Sequence, residues 1–426
     1  MSNTIMEYAR QGRSIPAFKT AAVAEGLGPE RIVRLIAQGR VVIPGNVARE
    51  HITPMAVGEC MSTKVNANVG TSQAHADVEE EVNKARIAMQ YGADTVMDLS
   101  TGDDIDNVRR RLLKEIEAPI GTVPIYQAAS AYSSVLDMNT DDMFNALRRH
   151  VEDGVDFVTV HAGVTTKAVE HLRAEGRILD IVSRGGSFMA AWMLHHGREN
   201  PYYAEFDYLL EIVKEYDVTL SLGDGMRPGC TADASDRCMF EEVITLGELV
   251  QRSRDVGVQA MVEGPGHMPL DQIEPAVRSI KNICDSAPLY LLGPLVTDLA
   301  PGYDHITAAI GGAVAGMAGA DYLCMTTPAE HLALPSVDDI RDGAVVTKIA
   351  AHAIDLVKAG QRQRAQAQDN EMARVRRNLD WDGQFKQAID PERAMAIHSR
   401  CRDVETCSMC GELCSIKLMR DVLGKK

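Results

Sequence analysis

The sequence predicts an α/β protein: a (β/α)8 TIM-type barrel with a small N-terminal domain and a helical C-terminal extension that carries a cysteine motif. Two observations carry the barrel. Between about residues 60 and 330, short apolar runs alternate with longer amphipathic ones, the pattern of parallel βαβ units. Nearly every short run also ends in a group capable of chemistry: Asn66 and Asn68, Asp98, Tyr126, His161, Ser183 with Arg184, Asp224 and Glu263. A barrel gathers its strand ends on one face, where active sites lie. A doubly wound open sheet, the alternative, would spread them along an edge and use only the crevice at its switch point.

In chain order, "PERIVRLIAQGRVVIPG" (29–45) predicts a helix and then a strand, within an N-terminal domain of residues 1–60. The candidate strands of the 61–360 barrel are 64–70, 94–100, 120–126, 156–163, 178–186, 218–225, 258–264, 288–293 and 321–325. That is one more than a (β/α)8 barrel holds, so one is misassigned or lies outside the barrel. Helical patterns fall between them, such as 77–92 and 140–154; the second has Thr140 as N-cap, acids in its first turn and Gly154 near its stop. Residues 361–426 form the extension. Its "DPERAMAIHSR" opens with Asp390 as N-cap and Pro391 at the first helical position, and two or three helices carry the tail away from the barrel.

The chain has 426 residues, of which 45% are hydrophobic but only 5% aromatic, so a large and mostly aliphatic core is available. A formal net charge of −16 argues against nucleic acid or an anionic membrane as partner, though local donors can still hold a small phosphorylated substrate. The N-terminal stretch has no apolar signal segment, and no run approaches a membrane span. Nine cysteines without a secretion signal point to a reducing cytoplasm rather than a disulfide framework.

Five cysteines are scattered and read as small core residues, whereas Cys401, Cys407, Cys410 and Cys414 crowd the C-terminus. Four cysteines suit a structural zinc site or a fully ligated [4Fe–4S] cluster. The compact "CSMCGELC" triplet also suits a cluster held by three thiolates, with one iron left open for a ligand. "EGPGH" (263–267) and "PAEHLALP" (328–335) place His267 and His331 after strands on the same face, as a two-histidine metal site requires. "SRGG" (183–186) and "DGMRPG" (224–229) pair a glycine turn with an arginine, which suits a phosphate or carboxylate; an ordinary turn with a surface arginine is the plainer alternative. Tyr126 and Tyr290 alone would be packing residues. The His195–His196 pair sits in an apolar helical run and reads as structural.

"KVNANVGTS", "ADTVMDLSTG", "GTVPIYQA", "SRGGSFMAAWMLHH", "SLGDGMRPG", "EGPGHMPLDQIE", "LGPLVTDLAPGYDHITAAIGG", "TPAEHLALP" and "CSMCGELCSIK", in this order, resemble the phosphomethylpyrimidine synthase family of thiamine biosynthesis over roughly residues 5–420. The resemblance implies a radical lyase that rearranges 5-aminoimidazole ribotide. A reduced [4Fe–4S] cluster would cleave S-adenosyl-L-methionine to methionine and a 5′-deoxyadenosyl radical, which abstracts hydrogen from the ribose. It places the ribotide on Asn68, Met97, Tyr126, His161, Ser183, Arg184, Gly185, Asp224, Gly225, Met226, Arg227, Glu263 and Tyr290. It assigns zinc to His267 and His331 and the cluster to Cys407, Cys410 and Cys414, the cofactor itself completing the open iron. It also implies a homodimer whose tails close over partner barrels, and an electron donor such as flavodoxin or ferredoxin.

Three features depart from the family pattern. Three residues rather than four separate the last two cysteines. "SIPAFKTAAVAEGL" stands for an "ITPEM"-like run, and "IPGN" for "IPAN". A close relative, 5-hydroxybenzimidazole synthase of anaerobic cobalamin lower-ligand synthesis, shares the barrel-face motifs and is the alternative product assignment. Outside radical chemistry, the rival readings are a hydrolytic zinc enzyme with a four-cysteine tail and a non-catalytic ribotide-binding protein.

Overall fold

The computed structural model describes residues 3–49, 51–400 and 405–423; Cys401 lies outside them. Eight parallel strands close into a barrel: β1 (Lys64–Val69), β2 (Thr95–Asp98), β3 (Ile120–Thr122), β4 (Phe157–Val160), β5 (Thr219–Leu222), β6 (Ala260–Gly264), β7 (Leu289–Leu292) and β8 (Tyr322–Cys324). Strand order follows the chain, and β8 pairs with β1 to complete the ring. The open-sheet alternative is therefore excluded.

The surplus candidate strand is 178–186. Its apolar residues do not enter the sheet: Ile178 is 72% exposed and Leu179 is 47% exposed. Asp233 accepts the Ile178 and Leu179 N–H groups, and Asp180 turns the chain at φ +45°. The run ends at Ser183, which caps the helix Arg184–His196. An apolar run bounded by glycine has the composition of a strand, but here a side-chain carboxylate takes the N–H groups that a neighbouring strand would need. A smaller correction concerns the helix Thr140–Glu152. Its N-cap is Asn139, which forms a reciprocal capping box with Asp142, and Thr140 is its first helical residue.

Period-two alternation sorts the barrel residues. In β1, Val65 and Ala67 face outward and pack with Ala88, Ile340 and Ala344 of the surrounding helices. Asn66 and Asn68 face the lumen. Asn66 Nδ2 donates to Asn68 Oδ1 and to Tyr290 Oη, each at 2.8 Å, and Thr95 Oγ1 donates to Asn66 Oδ1 at 2.8 Å. Tyr290 and Tyr322 stack at 4.2 Å between ring centroids. The lumen is thus a satisfied polar network that forms a floor beneath the strand ends.

Before the barrel come three helices (Ile5–Arg10, Pro16–Glu25 and Pro29–Ala37) and a two-stranded antiparallel ribbon, with a core of their own around Phe18, Ile32, Ile36 and Met61. Two of the departing stretches lie here, at the end of the barrel opposite its mouth. The first forms the helix ending at Glu25, which ion-pairs with Lys64 at the start of β1. In the second, Asn46 Nδ2 donates to the carbonyls of Val151 and Val155, ahead of β4.

After the barrel come helices Arg362–Arg377, Trp381–Gln387 and Pro391–His398, the last opened by Asp390 as N-cap. His196 Nε2 meets the Leu136 carbonyl at 2.9 Å and its ring packs on Trp192, a structural role for that pair. Among the described residues no helix is long and apolar enough to cross a membrane.

Candidate active site

A cavity of about 80 Å³ opens at the C-terminal ends of the strands, and expected ribotide residues from seven of the eight strands line it. Asn68 comes from β1, Met97 from β2, Tyr126 follows β3, His161 follows β4, Asp224 and Arg227 follow β5, Glu263 ends β6 and Tyr290 lies on β7. Asp98, next to Met97, turns away from the lumen: its Oδ1 accepts from the N–H and Oγ of Ser100. Glu263 is anchored from the neighbouring strands, Thr159 Oγ1 and Ser221 Oγ donating to its Oε1 at 2.8 and 2.6 Å. Arg227 Nη1 donates to Asp224 Oδ1 at 2.9 Å.

The helix Arg184–His196 brings the remaining predicted ligands. Ser183 Oγ accepts the Gly186 N–H, and the guanidinium of Arg184 lies 5.0 Å from the Tyr126 ring centroid. Gly185 is required by close approach, since a Cβ there would overlap the His161 ring. The first N–H groups of this helix have no intrahelical acceptor, so its N-terminus beside Arg184 is an electropositive edge to the site. Gly225 and Met226 form the loop that carries Arg227.

Burial dominates the electrostatics of the cavity. Burial raises Asp224 to about 7, against the opposing pull of Arg227 and with a further push from Glu263. Burial likewise raises Glu263, although Ser221 and Thr159 hydrogen-bond its charged form. Burial and then Arg227 lower His161 to about 3, so its imidazole is neutral. Two buried atoms at this cavity, His161 Nδ1 and Asp224 Oδ2, have no hydrogen-bond partner among the described residues. Native interiors seldom leave such groups unpaired, so both atoms have hydrogen-bonding capacity to spare for a ligand or water.

A second cavity of about 370 Å³ adjoins the first through Asn68 and Leu99. It runs past Arg184 to Thr327, Glu330 and His331, and two more unpartnered buried hydroxyls, Thr71 Oγ1 and Thr327 Oγ1, line it.

His267 and His331 meet with ring centroids 5.1 Å apart. His267 Nδ1 lies 2.7 Å from Asp298 Oδ1, and His331 Nδ1 lies 3.5 Å from Asp304 Oδ1. Each ring thus has one nitrogen turned to a carboxylate and Nε2 left over, the arrangement that orients metal-ligating histidines. His331 holds φ +62°, a backbone conformation rare for a residue with a Cβ. Among the described residues, no group of three or more His, Cys, Asp or Glu is gathered closely enough to hold a metal.

The cysteine triad stands apart. Cys407, Cys410 and Cys414 lie on two successive turns, closed by Gly411 N–H to Cys407 O at 3.2 Å and Leu413 N–H to Cys410 O at 3.0 Å. Cys410 is exposed, Cys407 half-buried and Cys414 buried. The segment is tied to the C-terminal helices: Trp381 Nε1 donates to Glu405 O, and Arg420 Nη1 to Asn378 O.

Sequence reading missed several residues here. Cys324 lines the inner cavity and receives Asn68 Nδ2 at 3.1 Å. Thr159 and Ser221 hold Glu263, and Asp298 and Asp304 hold the two histidines. The lumen-facing register of β4, β5 and β8 was the signal for Thr159, Ser221 and Cys324; no local signal marks the two aspartates.

A family model described as "Radical SAM ThiC family" matches residues 4–421. The protein named phosphomethylpyrimidine synthase 1 of Methanosarcina mazei is 59% identical over 424 residues, covering 99% of this chain and 99% of that one. Phosphomethylpyrimidine synthase of Archaeoglobus fulgidus is 59% identical over 423 residues, with 99% and 100% covered. That of Geobacter metallireducens is 51% identical over 433 residues, with 100% and 99% covered.

Proposed function

Because the chain belongs to the radical SAM ThiC family, we propose that it rearranges 5-aminoimidazole ribotide to 4-amino-5-hydroxymethyl-2-methylpyrimidine phosphate. One observation carries the reading: residues expected on the ribotide, drawn from seven strands, converge on a single buried cavity where an imidazole nitrogen and a carboxyl oxygen have no partner among the described residues. The departing N-terminal stretches, which had kept 5-hydroxybenzimidazole as the alternative product, lie at the other end of the barrel and touch none of these groups. The names of the relatives point the same way.

Arg184, Arg227 and the helix N-terminus at Ser183 hold the phosphate. Raised carboxyls at Asp224 and Glu263 keep negative charge low where that anion binds. Neutral His161 can accept or donate a hydrogen bond through Nδ1. Asn68, Glu263 and Tyr290, fixed by the floor network, orient the ribose and base, while Tyr126 and Met97 exclude water.

The family is a radical S-adenosylmethionine family with a [4Fe–4S] cluster. We assign the cluster to Cys407, Cys410 and Cys414, whose two-turn spacing presents three thiols and leaves one metal position for the cofactor. The 370 Å³ cavity is the space for that cofactor beside the ribotide, and its unpaired threonine hydroxyls fit a polar ligand. When bound, cluster and cofactor supply an electron and an organic radical. His267 and His331, braced by Asp298 and Asp304, would hold zinc. A homodimer, a flavodoxin or ferredoxin as donor and a cytoplasmic setting complete the proposal.

The test is anaerobic turnover of the iron-reconstituted protein with ribotide, S-adenosylmethionine and a strong reductant, with products read by mass spectrometry. Phosphomethylpyrimidine is expected; 5-hydroxybenzimidazole would overturn the product assignment.

A further inference from the structure

Three substrate loops meet on one buried carboxyl that is not among the expected ligands. Glu242, on the helix Arg237–Asp255, is 2% exposed. Its Oε2 accepts the Met226 N–H at 2.8 Å, and its Oε1 is buried without a partner. Glycines surround it. A Cβ on Gly163 would stand 2.8 Å from Glu242 Cγ, and one on Gly225 would stand 3.2 Å from its Oε1. A Cβ on Gly186 would in turn stand 2.6 Å from the Gly225 Cα. These glycines belong to three segments: the loop that continues from His161, the first turn of the helix capped by Ser183, and the loop bearing Asp224 and Arg227. The carbonyl side of the last loop is held independently, by Arg177 Nη2 donating to Met226 O at 2.8 Å.

We propose that Glu242 is a positioning residue for the ribotide site: it fixes the 224–227 loop through the Met226 amide and, by filling the junction of the three glycines, sets where His161, Arg184 and Arg227 stand. The inference rests on the ribotide reading above. The chemistry at this point calls for an acceptor of defined length. The Met226 N–H is buried, so losing its acceptor leaves a buried donor unpaired, and the loop would relax to satisfy it. Burial, and then the neighbouring charge of Asp224, hold the Glu242 carboxyl well above its ordinary range. A glutamine keeps the side-chain length and still offers an oxygen to Met226. An aspartate keeps the carboxyl but withdraws it by one methylene.

The experiment is calorimetric binding of 5-aminoimidazole ribotide to the iron-free full chain, alongside thermal melting. Glu242→Ala and Glu242→Asp should weaken binding by about tenfold or more, and Glu242→Gln by less than about threefold. Glu242→Asp and Glu242→Gln should melt within a few degrees of each other, so affinity and stability part company. If Glu242→Ala does not fold, the Asp and Gln variants decide alone. Wild-type affinity in Glu242→Asp overturns the inference, as does an equal loss in Glu242→Gln, because neither outcome tracks the acceptor position. A wild-type chain that binds no ribotide instead removes the functional reading on which the inference stands.

Discussion

Replacing Arg227 with alanine tests the anion reading most directly. Two interactions change. The ligand loses a charged donor, and such hydrogen bonds contribute about 1.5–3 kcal/mol, or roughly 10- to 150-fold in dissociation constant. Asp224 loses the guanidinium at 2.9 Å that opposes its desolvation, so its pKa climbs further from about 7. At neutral pH the carboxyl then keeps its proton, and no bare charge is left at Asp224. The main loss should therefore appear in ligand affinity, with only a modest loss of stability. Arg227→Lys should fall between, because an ammonium keeps the charge but not the planar fork. Calorimetry with 5-aminoimidazole ribotide on the iron-free protein measures this without cofactor chemistry. Affinity within twofold of wild type in Arg227→Ala would show that the guanidinium does not face the substrate phosphate, and the anion site would have to be rebuilt around Arg184.

Three further outcomes follow from the geometry. Cys410→Ala should lose the reconstituted cluster, read as iron content and visible absorbance, while ribotide affinity stays within about threefold; a collapse of ribotide binding would show that the tail shapes the barrel site. His267→Ala or His331→Ala should lower bound zinc by one equivalent in elemental analysis, and unchanged metal content would place the ion elsewhere. The ligand-free protein should lose stability as pH rises from about 4 to about 7. Asp224, at about 7 folded and near 3.9 unfolded, holds its proton in the native state through that window while the unfolded chain releases it. Asp224→Asn should flatten this part of a melting-temperature profile, and an unchanged slope would assign the decline to other buried acids such as Asp217, also raised to about 7 by burial.

What the sequence revealed, and what it hid, follows the range of the interactions involved. Eight strands and their mouth-facing residues were legible because each is a local pattern: an apolar run, a polar end, a glycine turn. The 178–186 run misled for the same reason, since the Asp233 carboxylate that captures its N–H groups lies more than fifty residues along the chain. Glu242 was hidden similarly. It reads as one more acid on a long amphipathic helix, and only the folded barrel sets it behind Met226. Asp298 and Asp304 escaped notice because the histidines they brace lie about thirty residues away in opposite directions along the chain.

The attachment of the cysteine tail has a consequence for how such an enzyme ages. Residues 405–423 hang on the C-terminal helices through contacts such as Trp381 with Glu405 and Arg420 with Asn378, whereas the ribotide cavity is braced by strands and loops of the barrel itself. If the cluster sits on Cys407, Cys410 and Cys414 as proposed, oxygen that strips its iron attacks a segment on which those braces do not depend. A damaged molecule should then remain a folded barrel with its substrate pocket intact, ready to be recharged by iron and sulfide rather than discarded and made again.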